Sequence, residues 1–406
     1  MLSRLSLFAV APPGLEDLTR GELFSLGINH PRAVPGGVEF EGFLAHLYRV
    51  NLWSRAASRV LVRLGEFHAL NFAELRRKAA DLPWENFLRP DQPVSVRATC
   101  HKSKLHHSDA VAERIVSAIG DHFGQAAESE PQPSKEGRRR KDREENQHEN
   151  FAPFAPPAPV RGSRLEKINS TGIVVRLDHD HCALSLDSSG AHLHRRGYRL
   201  ATAKAPLRET LAAALLILAR YDPAQPLIDP FCGAGTFAIE AALIARRIAP
   251  GRSRHFSFID WQNFELEEWR GQLNEAERAV RDSASTIEAS DRDEGAVAAA
   301  RANAARAGVA DAIHFRACAV SAVEPPSAPG LLIGNLPYGK RTGGDVRNLY
   351  AQFGKIVRAK FSNWQVGILA GNMSLAQATG LDFESPLMIE NGGLRVPFVQ
   401  WPPPPP

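Results

Sequence analysis

Asn335-Leu336-Pro337-Tyr338 closes the apolar run Leu331-Leu332-Ile333-Gly334. A strand that ends in Asn, with Pro two residues later and then Tyr, is laid out to hold a planar base by its exocyclic amine. The Asn335 side-chain oxygen and the Leu336 backbone carbonyl can both accept hydrogen bonds from one NH2 group. Pro337 fixes the backbone so that this carbonyl points outward, and Tyr338 offers a face for stacking. Asn335, Leu336, Pro337 and Tyr338 are therefore the expected catalytic set, for methyl transfer to a base amine. A strand followed by a Pro-Tyr turn satisfies the same four residues, so the reading needs a cofactor site beside it.

Asp229-Pro230-Phe231-Cys232-Gly233-Ala234-Gly235-Thr236 places glycines between a short buried strand and a helix. The glycines let the backbone approach a ligand closely, and the helix N-terminus adds positive potential. Gly233 to Ala238 also satisfies the dinucleotide pattern G-x-G-x-x-A. The acid that should follow about 20 residues on is missing. Asp260 lies in a segment that reads as loop, and Asp291, at the end of the second strand, comes much later. Asp229 at a strand tip suits a ligand ammonium and would repel a pyrophosphate. These features fit S-adenosylmethionine, with Asp229 near the methionine moiety, Gly233 and Gly235 under the chain and Asp291 on the ribose hydroxyls. Pro230, Cys232 and Thr236 complete the expected cofactor set. Each Asp alone reads equally as a helix cap or strand-end turn; their order on consecutive βα units makes the site.

At 406 residues the chain is too long for one ordinary core and predicts two or three domains. With 44% hydrophobic and 23% charged residues it has the composition of a soluble globular protein. No uninterrupted apolar stretch reaches about 18 residues, so no membrane partner is expected. The apolar start is short and followed at once by Glu16 and Asp17, which reads as a first strand and not a signal peptide. Four scattered cysteines without a CxxC pair argue against zinc or a disulfide framework and fit a reducing cytoplasm. The fourteen histidines show no metal spacing, so no metal is expected. A net charge of +4 permits RNA as a partner.

The elements that must position these residues follow from periodicity. Residues 5–123 alternate strand and helix, and a strand–turn–strand pair is predicted about Asp178-His179-Asp180. This half is α+β. A proline-rich, mixed-charge stretch at 125–162 interrupts it and reads as a disordered insertion. From about Ala205 the rhythm becomes βα units, predicting a doubly wound, mostly parallel sheet with a terminal antiparallel pair at 388–389 and 396–399.

Residues 229–240, 335–341 and 186–199 resemble the THUMP-domain class I RNA methyltransferases, as do 205–212 and the aromatic segment 256–261 with Phe264 and Trp269. The likeness is greatest to the group that makes N2-methylguanosine in the large ribosomal RNA of bacteria; close relatives do so in tRNA. The resemblance covers nearly the whole chain apart from the insertion and the tail. It implies a ferredoxin-like piece at 1–65, a THUMP domain at 66–190, a Rossmann-like α/β methyltransferase domain at 191–401 and a proline tail at 402–406. It further implies a cytoplasmic, monomeric enzyme using S-adenosylmethionine on a guanosine of 23S rRNA or of tRNA. Lys102, Lys104 and His106, with Arg195, Arg196 and Arg199, are the expected RNA contacts; such contacts with phosphate are sequence-independent and salt-sensitive. Tyr198 and the aromatic segment read as packing. Two departures stand out. Leu336 replaces the first of two prolines usual in the motif, and no Asp stands near Cys318 for the cofactor adenine. Methylation of DNA or of an adenine N6, and an RNA-binding scaffold without catalysis, are the competing readings.

Overall fold

The computed structural model describes residues 4–124, 170–200, 207–282, 286–338, 346–384 and 386–401. The insertion at 125–162, the family segments at 205–206 and 339–341 and the tail at 402–406 lie outside the described residues. Contacts divide the chain into two compact units, one of Met1–Arg63, Asp187–Ile259 and Phe264–Pro406, the other of Leu64–Leu186 and Asp260–Asn263.

The first unit opens with β1 (Leu5–Val10), α1 (Glu16–Ser25), β2 (Arg32–Val34), β3 (Gly37–Gly42), α2 (Leu44–Trp53) and β4 (Arg59–His68). This βαββαβ order is ferredoxin-like, and β2, β3, β1 and β4 pair antiparallel in that sequence. Alternation decides the faces of β3: Val38 and Phe40 are buried while Glu41 is exposed. β2 has three residues and no apolar alternation, which is why periodicity does not predict it.

β4 passes into the second unit, where α3 (Phe72–Ala80), β5 (Val94–His101), α4 (Ser108–Phe123), β6 (Thr171–Asp178) and β7 (His181–Asp187) follow. Asn71 caps α3 by accepting from the Glu74 N–H. Ser108 and Asp109 are of capping type for α4, yet His107 holds the cap position and supplies no side-chain bond. β5 runs parallel to β6, and β6 turns back antiparallel into β7 through His179 and Asp180, both at positive φ.

The first unit then continues with α5 (Glu209–Leu218), β8 (Leu227–Asp229), α6 (Thr236–Ala245), α7 (Leu266–Arg278), β9 (Ile287–Asp291), α8 (Glu294–Ala307) and β10 (Ile313–Ala317). It ends with β11 (Leu331–Asn335), α9 (Val346–Lys360), β12 (Gln365–Leu369), α10 (Met373–Ala378), β13 (Leu387–Asn391) and β14 (Leu394–Trp401). The strand order is β10-β9-β8-β11-β12-β14-β13. The first five strands are parallel, and β14 and β13 add the antiparallel pair. One core holds Leu211, Leu215, Phe237, Ile239 and Val297 from α5, α6 and α8; the other holds Tyr350, Phe353, Val357 and Ala376 from α9 and α10. The order reverses between β8 and β11, and ligands of such sheets bind beyond the strand ends at that point.

The ferredoxin-like piece packs against the catalytic part of the same unit. Tyr48 of α2 stacks on Phe258 at 4.6 Å and meets Trp269 edge-on at 5.9 Å, while Arg49 forks onto Glu275 at 3.0 and 2.6 Å. The aromatic segment is thus packing, each ring contributing about 1.5–3 kcal/mol by burial.

Candidate active site

Parallel pairing places three functional side chains at neighbouring strand ends. Asp229 is level with Ala289, two residues before Asp291, and Leu332 is level with Ile228, three residues before Asn335. The two motifs adjoin: a Cβ built on Gly334 would lie 3.4 Å from the Phe231 ring and 3.9 Å from Asp229 Oδ1.

Asp229 is 1% exposed, and among the described residues its carboxylate accepts one hydrogen bond, from the Phe231 N–H at 3.3 Å. Burial holds its carboxyl well above the usual range; the Phe231 N–H opposes this and the charge of Asp291 adds to it. A buried acid with one long bond is suited to receive an ammonium. Asp291 accepts the Gly233 N–H on Oδ2 and the Asp293 N–H on Oδ1, both at 3.0 Å. A carboxylate offers about four acceptor positions, so two remain for hydroxyls. Gly233 and Gly235 have φ of 49° and 84°. Among the described residues nothing lies within 4 Å of a Cβ on Gly233, whereas one on Gly235 would meet Ala300 Cβ at 2.9 Å. The loop is therefore open on the Gly233 side and closed against α8 at Gly235. These residues fit S-adenosylmethionine. Cys232 is buried and its thiol pushed upward, first by burial and then by Asp229 and Asp291. The Thr236 hydroxyl accepts from Arg199 at 2.8 Å. The Cys318 N–H is bonded to the Asp291 carbonyl at 2.9 Å, so it is not free to read an adenine.

At the target motif, Leu336 is buried and its N–H donates to the Leu369 carbonyl at 3.1 Å. The Pro337 carbonyl accepts from the Tyr350 hydroxyl at 3.3 Å, which accepts in turn from the Gly371 N–H at 3.2 Å. Among the described residues nothing donates to the Leu336 carbonyl. The Tyr338 hydroxyl donates to Asn335 Oδ1 at 2.9 Å and accepts from Asn391 Nδ2 at 3.0 Å. Burial pushes the Tyr338 phenol up to about 12, against the opposing bond from Asn391, so it stays protonated at neutral pH. Asn391, Tyr350 and Gly371 are absent from the sequence reading. Only their contacts mark them.

The six expected RNA contacts divide. Lys102, Lys104 and His106 are exposed on the loop between β5 and α4 of the second unit, and Arg195 is exposed in the first. Arg196 and Arg199 correct the expectation. The Arg196 guanidinium donates to the carbonyls of Leu193 and Arg55, each at 2.9 Å, and lies 3.7 Å from buried Glu240. Arg199 pairs with Glu209 at 3.0 Å and donates to the Leu207 carbonyl. Both charges are committed inside the fold, where leaving a partner unpaired is costly.

Among the described residues the spacing of the histidines also conceals one cluster. Parallel register brings His101 level with Asp178, and the Nδ1 atoms of His101 and His179 lie 2.9 and 2.8 Å from Asp178 Oδ1. These ligand-type atoms lie within 4.8 Å of one another, and the two hydrogen bonds account for the grouping without an ion. No described helix is long and apolar enough to cross a membrane.

The sequence matches the RlmL ferredoxin-like domain over residues 6–61, the THUMP domain over 69–134 and the RMKL-like methyltransferase domain over 196–391. It is 34% identical over 398 residues to a Synechocystis protein named as an RNA methyltransferase, slr0064, covering 97% of this chain and 96% of that one. It is 35% identical over 405 residues to the ribosomal RNA large subunit methyltransferase K/L of Syntrophotalea carbinolica, covering 96% of this chain and 52% of that one. The chain thus spans about half the length of the K/L relatives. The solved structure of SMU.472, named as a methyltransferase and complexed with S-adenosylhomocysteine, matches with a TM-score of 0.81 at 29% identity over 99% of each chain. With cofactor loop, strand order and domain sequence in agreement, the chain belongs to the S-adenosylmethionine-dependent methyltransferases that join a ferredoxin-like and a THUMP domain to an RMKL-like catalytic domain.

Proposed function

We propose that this chain methylates the exocyclic N2 amine of a guanosine in RNA, with 23S rRNA as the target and tRNA as the second reading. The observation that carries the proposal is the pair of acceptors at the end of β11, next to the strand ends that carry Asp229 and Asp291: Asn335 Oδ1, where the Tyr338 hydroxyl uses one acceptor position and leaves the other, and the Leu336 carbonyl, which no described group engages. The names of the K/L and Synechocystis relatives and the THUMP domain support RNA as substrate. In this reading the protein works in the cytoplasm.

The lone pair of the guanine amine is delocalised into the ring and nucleophilic only once the nitrogen pyramidalises. Two acceptors on its hydrogens favour that geometry over the planar ground state, which is differential binding of the transition state. Leu336 acts through its carbonyl, so replacement of the usual proline leaves the working group in place. Tyr350 and Gly371 hold the motif's backbone beside it. Bound S-adenosylmethionine supplies a methyl carbon already activated by its sulfonium. Asp229 would hold the cofactor ammonium, Asp291 the ribose hydroxyls, and the backbone at Gly233 and Gly235 the chain between them; Pro230, Cys232 and Thr236 shape that loop. The surplus proton of the methylated amine leaves to water. The base must be single-stranded or flipped out to enter, and Tyr338 offers it a ring face. Lys102, Lys104, His106 and Arg195 are the proposed phosphate contacts.

The test is transfer of a labelled methyl group to unmodified transcripts of 23S rRNA and of tRNA, followed by digestion to nucleosides. Labelled N2-methylguanosine is expected, with Asn335→Ala lowering kcat about 100-fold or more. N6-methyladenosine as the product would overturn the guanine assignment. An Asn335→Ala protein as active as wild type would remove the amine clamp. Absence of both methyl transfer and calorimetric cofactor binding would identify an RNA-binding protein without catalysis.

A further inference from the structure

We infer that Asn391 is a positioning residue for the target amine, acting through Tyr338 to present the oxygen end of the Asn335 amide. The inference rests on the proposed amine methylation and deepens it. An Asn side chain has two nearly isosteric ends, an acceptor and a double donor. Only the oxygen end serves a substrate NH2; the other end would set donor against donor. Something must therefore choose between them.

Three groups in line make that choice. Asn391 Nδ2 donates to the Tyr338 hydroxyl at 3.0 Å, and the same hydroxyl lies 2.9 Å from Asn335 Oδ1. A phenol that receives a hydrogen bond from an amide N–H has one proton of its own to give. The Asn335 atom that takes it must be an acceptor. The polarity of the chain, set by the donor at Asn391, therefore selects oxygen at Asn335. One lone pair of that oxygen is used by Tyr338, and the other is left for the amine. The same bonds fix the tyrosine ring beside the acceptors, where a base would stack.

The placing of Asn391 is unusual enough to need this explanation. It ends β13 directly before Gly392 and Gly393, whose φ of 60° and 79° make the two-residue hairpin turn into β14. Residues at such a tip are ordinarily solvated, and Leu394, its partner across the ladder, is 41% exposed. Asn391 is only 6% exposed. A buried amide is unfavourable without hydrogen bonds, and the group that takes its N–H is the tyrosine of the target motif, 53 residues earlier.

The test compares Asn391→Ala, Asn391→Asp, Tyr338→Phe and the double variant Asn391→Ala/Tyr338→Phe, using the full chain and the same unmodified transcripts. Asn391→Asp keeps the shape but replaces the donor by an acceptor, which draws the phenol proton away from Asn335. Each single variant is expected to lower kcat about tenfold, with the Kd for S-adenosylmethionine unchanged. In the Tyr338→Phe background the Asn391→Ala change is expected to add less than about twofold, because the hydroxyl it acts through is gone. Asn391→Asp with wild-type kcat would overturn the inference. So would an Asn391→Ala effect as large in the Tyr338→Phe background as in wild type, which would mean that Asn391 only supports the fold. Should Asn391→Ala not fold, equality of the Asn391→Asp and Tyr338→Phe losses decides the matter. Wild-type protein that makes N2-methylguanosine while the coupling is absent removes this inference alone; wild type that transfers no methyl group to RNA removes both.

Discussion

Replacing Asp229 by Asn should make the apoprotein more stable at neutral pH and its cofactor binding weaker. The carboxylate is buried, accepts one hydrogen bond of 3.3 Å among the described residues and has Asp291 as an acidic neighbour. Its pKa in the folded chain is therefore raised above that of an unfolded Asp, about 3.9. Between those two values the folded state binds the proton and the unfolded state does not, so stability falls as pH rises and is fully present only below the lower value. Asn keeps the shape and the Phe231 bond and has no such slope. The effect on binding is opposite. A charge-assisted contact with the cofactor ammonium contributes about 1.5–3 kcal/mol, so its loss raises Kd about 10- to 150-fold. Thermal unfolding from pH 5 to 9 without cofactor, together with calorimetric titration at pH 8, reads both. An Asp229→Asn protein that melts below wild type at pH 8, or binds S-adenosylmethionine within threefold of wild type, would refute the reasoning.

Further outcomes follow from the same geometry. Gly235→Ala combines a φ of 84° with a Cβ 2.9 Å from Ala300 Cβ and should lower unfolding free energy by about 2–4 kcal/mol. Gly233→Ala, with no described atom within 4 Å of its Cβ, should lower it by only about 1 kcal/mol in denaturant titrations. Arg196→Ala removes the cation beside buried Glu240, which among the described residues keeps only the Tyr198 hydroxyl bond, and frees the Leu193 and Arg55 carbonyls, and should destabilise the fold by about 3–5 kcal/mol. Arg195→Ala should instead leave the melting temperature unchanged and reduce the salt slope of RNA binding by about 1, measured by filter binding. Leu336→Pro removes the bond to the Leu369 carbonyl and a buried side chain but keeps the Leu336 position's own carbonyl. It should lower stability by about 1–3 kcal/mol while kcat stays within about threefold, read by unfolding and methyl-transfer assays.

What the sequence makes legible here are positions whose role is local. A strand end, a Gly turn and a helix start occupy consecutive residues, so Asp229, Gly233, Gly235 and Asp291 are placed on the right elements by periodicity alone, and Asn335 follows from the end of an apolar run. α7 and α9 carry a clear helical period but no motif, and the expectation omits them; α10, with six residues, and β2, with three, are too short for a period to show. The RNA-contact expectation fails at Arg196 and Arg199 for another reason. An Arg-rich run looks solvated until the buried acids Glu240 and Glu209 are seen to lie against it, and neither stands nearby in sequence at a helical or strand spacing. Asn391 is the sharpest case. Its type and its place before Gly-Gly spell a hairpin tip, and only the antiparallel pair β13–β14 at the sheet edge brings it to Tyr338. In the proposed site the groups that would touch the substrate come from strand ends that a sequence announces, whereas the groups that orient them come through topology. Substitutions of the second kind should therefore change kcat at positions that no motif marks.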